Sequence, residues 1–185
     1  MTNRLLPLLL IPLLACSDGT TVDDSGDCTD CDTGDTEAIP SSWDGPTVII
    51  NEFMADNATT IAAPSGEYAD WIELYNLSDE AIDLTGWTIT DDLDEPNAYE
   101  LQGVTIPPRG FELLWADDVA GPGHVAFKLG KDGEELGLYD PEGNAHTRLV
   151  YDAQATDWSA ARMPDGSLTW EIIDDATPGA SNGGP

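Results

Sequence analysis

The sequence predicts an all-β domain, a sandwich or a barrel, over most of its length. Runs rich in β-branched and aromatic residues recur at spacings of about ten residues, as in sheets built from short strands. Clusters of Gly, Pro and Asp separate these runs and are typical of turns. No stretch has the sustained apolar period of about 3.6 residues that marks an amphipathic helix.

The strands are predicted from the N-terminal side onward. Val48 begins the first, a β-branched run, and Trp87 begins the third, where it is expected to be an anchor in the core or at the sheet edge. The predicted strands are 48–54, 71–75, 87–90, 111–115, 126–129, 136–139, 148–151 and 170–173. Turn signals separate them at 64–66, 107–110, 131–133 and 140–143.

The second strand shows which side of its sheet is buried. Successive side chains of a strand point to opposite faces, so Ile72 and Leu74 share one face and Glu73 lies on the other. We expect the two apolar residues to point inward, which places Glu73 on the wetter face.

A short leader precedes the domain. Arg4 is followed by an apolar run over residues 5–14, which ends at Ala15 and Cys16. A helix of about ten residues spans only half of a bilayer core, so this run is no transmembrane span. It resembles a bacterial lipoprotein signal with its lipobox, which implies cleavage before Cys16 and acylation of that cysteine, with palmitate for example. Ser17 then favours the outer membrane; the alternative is an ordinary secretory signal with Cys16 as a bystander.

The next residues are expected to form a disordered acidic tether. Residues 17–45 contain nine acidic and no basic residues, and such a segment cannot bury enough apolar surface to fold. The Gly- and Pro-rich tail over 177–185 is expected to be loose. The predicted organisation is a signal peptide at 1–15, a lipidated linker at 16–45, a domain at 46–182 and a loose end at 183–185.

Cys28 and Cys31 form a Cys-x-x-Cys pair within the tether. A redox centre would need this pair at the start of a helix, and the neighbouring carboxylates oppose thiolate formation. Zinc would need four nitrogen or sulfur ligands. We therefore favour a small disulfide between Cys28 and Cys31 in an oxidising compartment.

The excess of acidic residues limits the classes of molecule that could bind this protein. The chain has 36 acidic residues against six Lys and Arg, a formal charge of −30, and residues 5–108 contain no Lys, Arg or His. Nucleic acid would be repelled and is not expected to bind directly. Cationic proteins, neutral glycans and divalent cations are the compatible partners.

The strands also carry motifs of a known family. The segments concerned are 50–55 (INEFMA), 70–78 (DWIELYNLS), 82–91, 106–110, 127–136, 161–166 and 176–182 (ATPGASN). In this order they resemble a lamin tail domain over residues 47–182. The resemblance implies an immunoglobulin-like β-sandwich and, because such domains are often appended to bacterial surface proteins, an interaction role.

The search for catalytic residues finds little. His124 and His146 are the candidate bases at neutral pH, and both lie in turn-like stretches where we expect them to be solvated. No nucleophile elbow, paired-histidine metal motif or phosphate-binding glycine loop is present. Arg109 and Arg162 are expected to be structural counter-ions. We therefore predict a protein that is not an enzyme and requires no cofactor.

One loop is a candidate calcium site. Calcium takes six or more oxygen ligands at about 2.4 Å, and carboxylates and amides supply them. The candidate ligands are Asp91, Asp92, Asp94, Glu95 and Asn97, which Asp56 with Asn57 or Asp117 with Asp118 could complete. A solvated acidic loop is the alternative, since the chain is acidic throughout.

These observations predict a lipoprotein, anchored to the membrane through Cys16, that displays a non-catalytic binding or scaffolding module at the bacterial cell envelope. Its partner would be an envelope protein or a glycan. One alternative is a calcium-dependent adhesion or glycan-binding module that uses residues 91–97. Another is a metal-assisted hydrolase, against which the scarcity of histidine argues.

Overall fold

The computed structural model describes residues 47–183, and the regular structure in this range is all strand. In chain order the strands are β1 (Val48–Met54), β2 (Asp70–Asn76), β3 (Ile82–Asp83), β4 (Thr88–Thr90), β5 (Tyr99–Glu100), β6 (Thr105–Ile106), β7 (Phe111–Ala116), β8 (His124–Val125), β9 (Gly133–Tyr139), β10 (Ala145–Asp152), β11 (Ser159–Arg162) and β12 (Trp170–Ile173). Within residues 47–183, no helix has the length and apolar character needed to cross a membrane.

The strands form two main sheets. The larger sheet has the order β12-β11-β1-β2-β7-β8, and the smaller has the order β10-β9-β4-β5. β3 and β6 pair as a separate two-stranded ribbon. Neighbouring strands are antiparallel except β7 and β8, which are parallel. The all-β prediction is therefore confirmed, and the architecture is a sandwich.

The core lies between the two main sheets. Burying a Leu or Ile side chain contributes roughly 1.5–3 kcal/mol, so these residues dominate the stability of the sandwich. Trp87 is only 6% exposed and belongs to this core, one of the two places predicted for it. The fully buried aliphatic residues of the core include Ile50, Ile72, Leu74, Leu84, Ile89, Ile106, Leu114, Leu136 and Leu138.

A β-bulge reverses the facing of β1 partway along its length. The pairing between β1 and β2 skips Asn51, which is the extra residue on β1. Before the bulge Ile50 points into the core, and after it Phe53 does. Glu52 therefore lies on the outer face of the larger sheet, directly opposite Glu73 of β2.

Seven of the eight predicted strands are present, and one is wrong. Residues 126–129 are irregular, and the short strand β8 lies just before them. The buried side chains of Phe127 and Leu129 produced the strand-like pattern. β11 was not predicted because alanine has low strand propensity, and its place in the sheet depends on pairing with β1 and β12.

The outer face of the larger sheet is partly covered. A second apolar cluster lies there, formed by Met54, Ala63, Trp71 and Trp115. Ala63 belongs to the loop between β1 and β2, and Asn57 holds this loop by donating from its side-chain amide to two of the loop's carbonyl groups, each at 2.7 Å.

The prediction of a loose tail is wrong for residues 177–182. Ala176 packs against the second apolar cluster, and Asn182 is only 5% exposed. We refer to residues 176–182 as the closing segment. It is held because its donors satisfy buried carboxylates on the outer face of β1 and β2, as described next.

Candidate functional site

Two glutamates face each other on the outer side of the larger sheet. Glu52 of β1 and Glu73 of β2 are cross-strand partners, and neither has exposed surface. Cross-strand partners have Cβ atoms about 5 Å apart, so two ionised carboxylates here would repel each other. Polar donors from three other parts of the chain surround the pair.

Glu73 accepts a hydrogen bond at each carboxylate oxygen. The Asn51 side-chain amide donates to Oε1 at 3.1 Å, and the Gly179 backbone N–H donates to Oε2 at 2.6 Å. Burial nevertheless raises the pKa of Glu73 from 4.5 to about 8, because desolvation outweighs these two hydrogen bonds and the neighbouring Glu52 adds like charge.

Glu52 is held by hydroxyl and backbone donors. The Ser159 hydroxyl donates to Oε1 at 2.5 Å, and the Thr177 hydroxyl donates to Oε2 at 2.9 Å. The Thr177 backbone N–H lies 3.2 Å from Oε1. Burial raises the pKa of Glu52 above its ordinary value, and these hydrogen bonds partly oppose the increase.

Asp165 links the closing segment to the bulge on β1. Its Oδ1 accepts from the Asn51 side-chain amide at 2.9 Å and from the Asn182 backbone N–H at 3.0 Å, while its Oδ2 accepts from the Ser181 hydroxyl at 2.5 Å. The Asn182 side-chain amide in turn donates to the Asn51 carbonyl at 3.3 Å. We call Glu52, Glu73 and Asp165 the carboxylate cluster.

Arg162 is buried in the same region but is not a counter-ion of the cluster. Its Nε donates to the Ile50 carbonyl at 2.7 Å, its Nη1 donates to the Ser167 carbonyl at 2.5 Å, and its guanidinium lies 4.6 Å from the Trp170 ring centroid. The ion pairs within residues 47–183 do not include it. Burial lowers its pKa to about 10. The counter-ion prediction is therefore wrong for Arg162.

The other arginine behaves as predicted. Arg109 pairs with Asp79 at 2.9 Å on the surface. Both side chains are more than half exposed, and such pairs contribute little to stability.

The carboxylate cluster is a closed clasp. Both glutamates lie beneath the closing segment, and each of their four oxygens already accepts a hydrogen bond from the protein. Within residues 47–183, no group of three or more His, Cys, Asp or Glu is arranged to hold a metal ion. The arrangement fastens the C-terminal residues to β1 and β2, and it presents no free carboxylate to a substrate.

The sequence contained one signal for this clasp. Asn51 and Glu52 interrupt an otherwise apolar strand, and two consecutive buried polar residues require partners. The partners themselves, Asp165 and Asn182, are more than a hundred residues away, so local patterns could not identify them.

Leu93 holds the predicted calcium loop, residues 91–97, against the smaller sheet. Leu93 lies over Gly137 of β9, where an added Cβ would come within 2.9 Å of it, and its backbone N–H donates to Glu135 at 2.9 Å. Asp92 Oδ1 accepts from the Asp94 N–H at 2.9 Å. Asp92, Asp94, Glu95 and Asn97 are exposed, and Asp91 is half-buried.

The residues suggested to complete a calcium site have partners elsewhere. Asp56 accepts from the Thr156 hydroxyl at 2.6 Å, and Asp117 pairs with His124 at 2.8 Å. Asn57 is occupied within its own loop. Calcium binding by residues 91–97 stays a prediction.

Both histidines are bonded within the fold. The expectation that they are solvated is wrong for His146, whereas the His124 side chain is 28% exposed. His124 lies in β8 beside a cleft of about 250 Å³ between β5 and β8. The His146 side chain is 4% exposed; its Nδ1 lies 3.1 Å from the Val48 carbonyl, and its ring centroid lies 4.4 Å from that of Trp87.

Three predicted positions lie outside the described residues. These are Cys16, expected to be lipidated, and Cys28 with Cys31, expected to form a disulfide. Lipidation and the disulfide stay predictions.

Comparison with known proteins gives a family match. A family model described as Lamin Tail Domain matches residues 42–153, more than half of the chain. No curated protein and no solved structure gives a significant match. The match covers β1 to β10, whereas Asp165 and the closing segment lie beyond it.

Proposed function

The chain belongs to the lamin tail domain family, and we propose that it is a bacterial lipoprotein that displays this immunoglobulin-like domain at the cell envelope as a non-catalytic binding module. Acyl chains on Cys16 would hold it to the membrane, and Ser17 would direct it to the outer membrane. The acidic tether over residues 17–45 would separate the domain from the lipid surface.

The observation that carries the non-catalytic proposal is the closed carboxylate cluster. Burial raises the pKa of both Glu52 and Glu73, and catalytic acids commonly have such environments. Here their oxygens accept hydrogen bonds from Ser159, Thr177, Asn51 and Gly179. Their arrangement supports a role in holding the fold together.

The anchoring proposal is tested by labelling the protein in cells with a radioactive fatty acid. We expect the label on the natural chain, and we expect the variant Cys16→Ser to lose both the label and its place in the membrane fraction. Several acyl chains on one residue exceed what stable anchoring requires.

Cys28→Ser is the matched control, because it removes a nearby cysteine that the proposal leaves unacylated. This variant should keep the label and stay in the membrane fraction. A label that persists in Cys16→Ser, or a natural chain without label, would contradict the proposal.

A further inference from the structure

β12 is an edge of the larger sheet. It pairs with β11 on one side through a continuous register that runs from Ser159–Ile173 to Arg162–Trp170. On its other side it has no strand partner among residues 47–183. Such an edge presents backbone N–H and C=O groups to which another extended chain can add as a strand.

The other edges are protected in ways that β12 is not. β5 and β8 have only two residues each. β10 has a register break near its start and an exposed Arg148 near its middle. β12 contains no lysine, proline or bulge, and its one charged residue, the exposed Glu171, would repel a second acidic strand but attract a cationic one.

Apolar side chains are exposed along β12. Ile172 is 37% exposed, and Leu168, just before the strand, is 93% exposed. Trp170 fills the space beside Phe53, with their ring centroids 5.7 Å apart, and is only partly buried. A strand added at this edge would cover apolar surface as well as pair with the backbone.

The negative charge around β12 favours a cationic partner. Residues 163–185 contain four acidic residues and no Lys, Arg or His. Three of the four, Glu171, Asp174 and Asp175, are exposed on β12 or directly after it. A second copy of this acidic chain would be repelled, whereas a cationic strand would be attracted.

We propose that β12 binds an extended segment of another protein in which Lys or Arg alternates with β-branched residues, and that this segment adds as a seventh strand to the larger sheet. This inference rests on the proposed function as a binding module and names its surface and its partner class.

The test uses the full chain in nonionic detergent and a fluorescent eight-residue peptide that alternates Lys and Val. The comparison peptide has the same charge, with the two central valines replaced by proline to prevent strand pairing. We expect the first peptide to bind at least about tenfold more tightly, and hydrogen exchange to slow at residues 170–173.

A pair of charge-reversal variants locates the binding. We expect Glu171→Lys with Asp175→Lys to weaken binding at least about tenfold. The matched control, Asp132→Lys with Glu142→Lys, makes the same change of charge at exposed positions away from β12 and should bind within about twofold of the natural chain.

Three results would overturn the inference. They are equal binding of the proline peptide, equal weakening by both variant pairs, and slowed exchange at residues 145–152 in place of 170–173. Protection of β12 without peptide, together with a dimer in sedimentation, would assign the edge to a second copy. None of these results depends on acylation of Cys16, so this inference and the anchoring proposal can fail separately.

Discussion

Glu73 lies on the face of β2 that the alternating pattern assigns to the solvent side, yet it has no exposed surface. Its folded pKa of about 8 lies above the ordinary value of 4.5. A carboxyl whose pKa is raised by folding contributes its full stability below the unfolded pKa, and that contribution is lost as the pH rises through the folded pKa. For Glu73 this loss of stability takes place between about pH 4.5 and about pH 8.

Replacing Glu73 by glutamine should remove this pH dependence. The neutral amide cannot ionise opposite Glu52, although its NH2 group cannot accept one of the two N–H hydrogen bonds. The stability of Glu73→Gln relative to the natural chain should therefore rise between pH 5 and pH 9, by an amount on the order of a few kcal/mol. Urea unfolding at several pH values measures the difference. Glu100→Gln, at an exposed position on β5, should give a profile parallel to that of the natural chain. A parallel profile for Glu73→Gln would contradict the assigned role.

Gly137 allows the acidic loop to lie against the smaller sheet. A Cβ at this position would come within 2.7 Å of the Tyr139 ring and 2.9 Å of Leu93. The absence of a side chain, and not backbone flexibility, is therefore what the position requires.

Gly137→Ala should displace Leu93 and loosen residues 91–97. Overpacking of this kind typically costs about 1–3 kcal/mol, and limited proteolysis should cut the loop faster than in the natural chain. Gly130→Ala is the control, because an added Cβ there meets its nearest neighbours only at 3.4 Å. Equal stability and equal cleavage of the two variants would show that Leu93 does not depend on the space at Gly137.

At the scale of elements, the closing segment is part of the sheet structure although it contains no strand. Thr177 and Gly179 supply donors to Glu52 and Glu73, and Asn182 bonds to the bulge at Asn51. Without them, Glu52, Glu73 and Asn51 would lose these hydrogen bonds, and each such bond contributes about 0.5–1.5 kcal/mol net.

Deleting residues 177–185 should therefore lower the free energy of unfolding by about 3 kcal/mol or more. Hydrogen exchange should also become faster in β1, β2 and β11, whose outer face the segment covers. Denaturant unfolding of the shortened chain measures the first effect.

Ala180→Ser, an exposed change within the same segment, is the control and should alter stability by less than about 0.5 kcal/mol. If the deletion costs no more than this control, the tail is loosely held after all and the clasp contributes nothing.

For the whole molecule, charge is the dominant property. Twenty-seven of the 36 acidic residues lie in residues 47–185, with only five Lys and Arg, so the domain carries a formal charge of −22. Repulsion of this size favours solubility and opposes compaction. The fold keeps most of these carboxylates at the surface, where water and ions screen them.

Raising NaCl from about 0.02 M to about 0.5 M should therefore increase the melting temperature by several degrees, because the Debye length shortens from tens of Å to a few Å. Thermal unfolding followed by circular dichroism measures this. An unchanged or lower melting temperature would contradict a large repulsive contribution. Calcium chloride at equal ionic strength is the control; an extra increase that Asp92→Ala removes would support the calcium prediction for residues 91–97.

The sequence by itself determined the fold class, most of the strands and the family. Alternating apolar residues identified the core-facing side of β2, and turn signals marked gaps between strands, because both are local properties of the chain. The motifs over residues 50–182 carried the family resemblance, and the match over residues 42–153 confirms the family.

Only the tertiary structure decided what the buried acids do. The bulge at Asn51 brings Glu52, Glu73 and Asp165 together, as do hydrogen bonds between residues more than a hundred positions apart in the sequence. Small alanines in β11 and glycines in the closing segment carry no local signal for this role. The burial and hydrogen bonding of these acids depend on distant segments that cover them. The residues on either side of each acid in the sequence do not identify those segments.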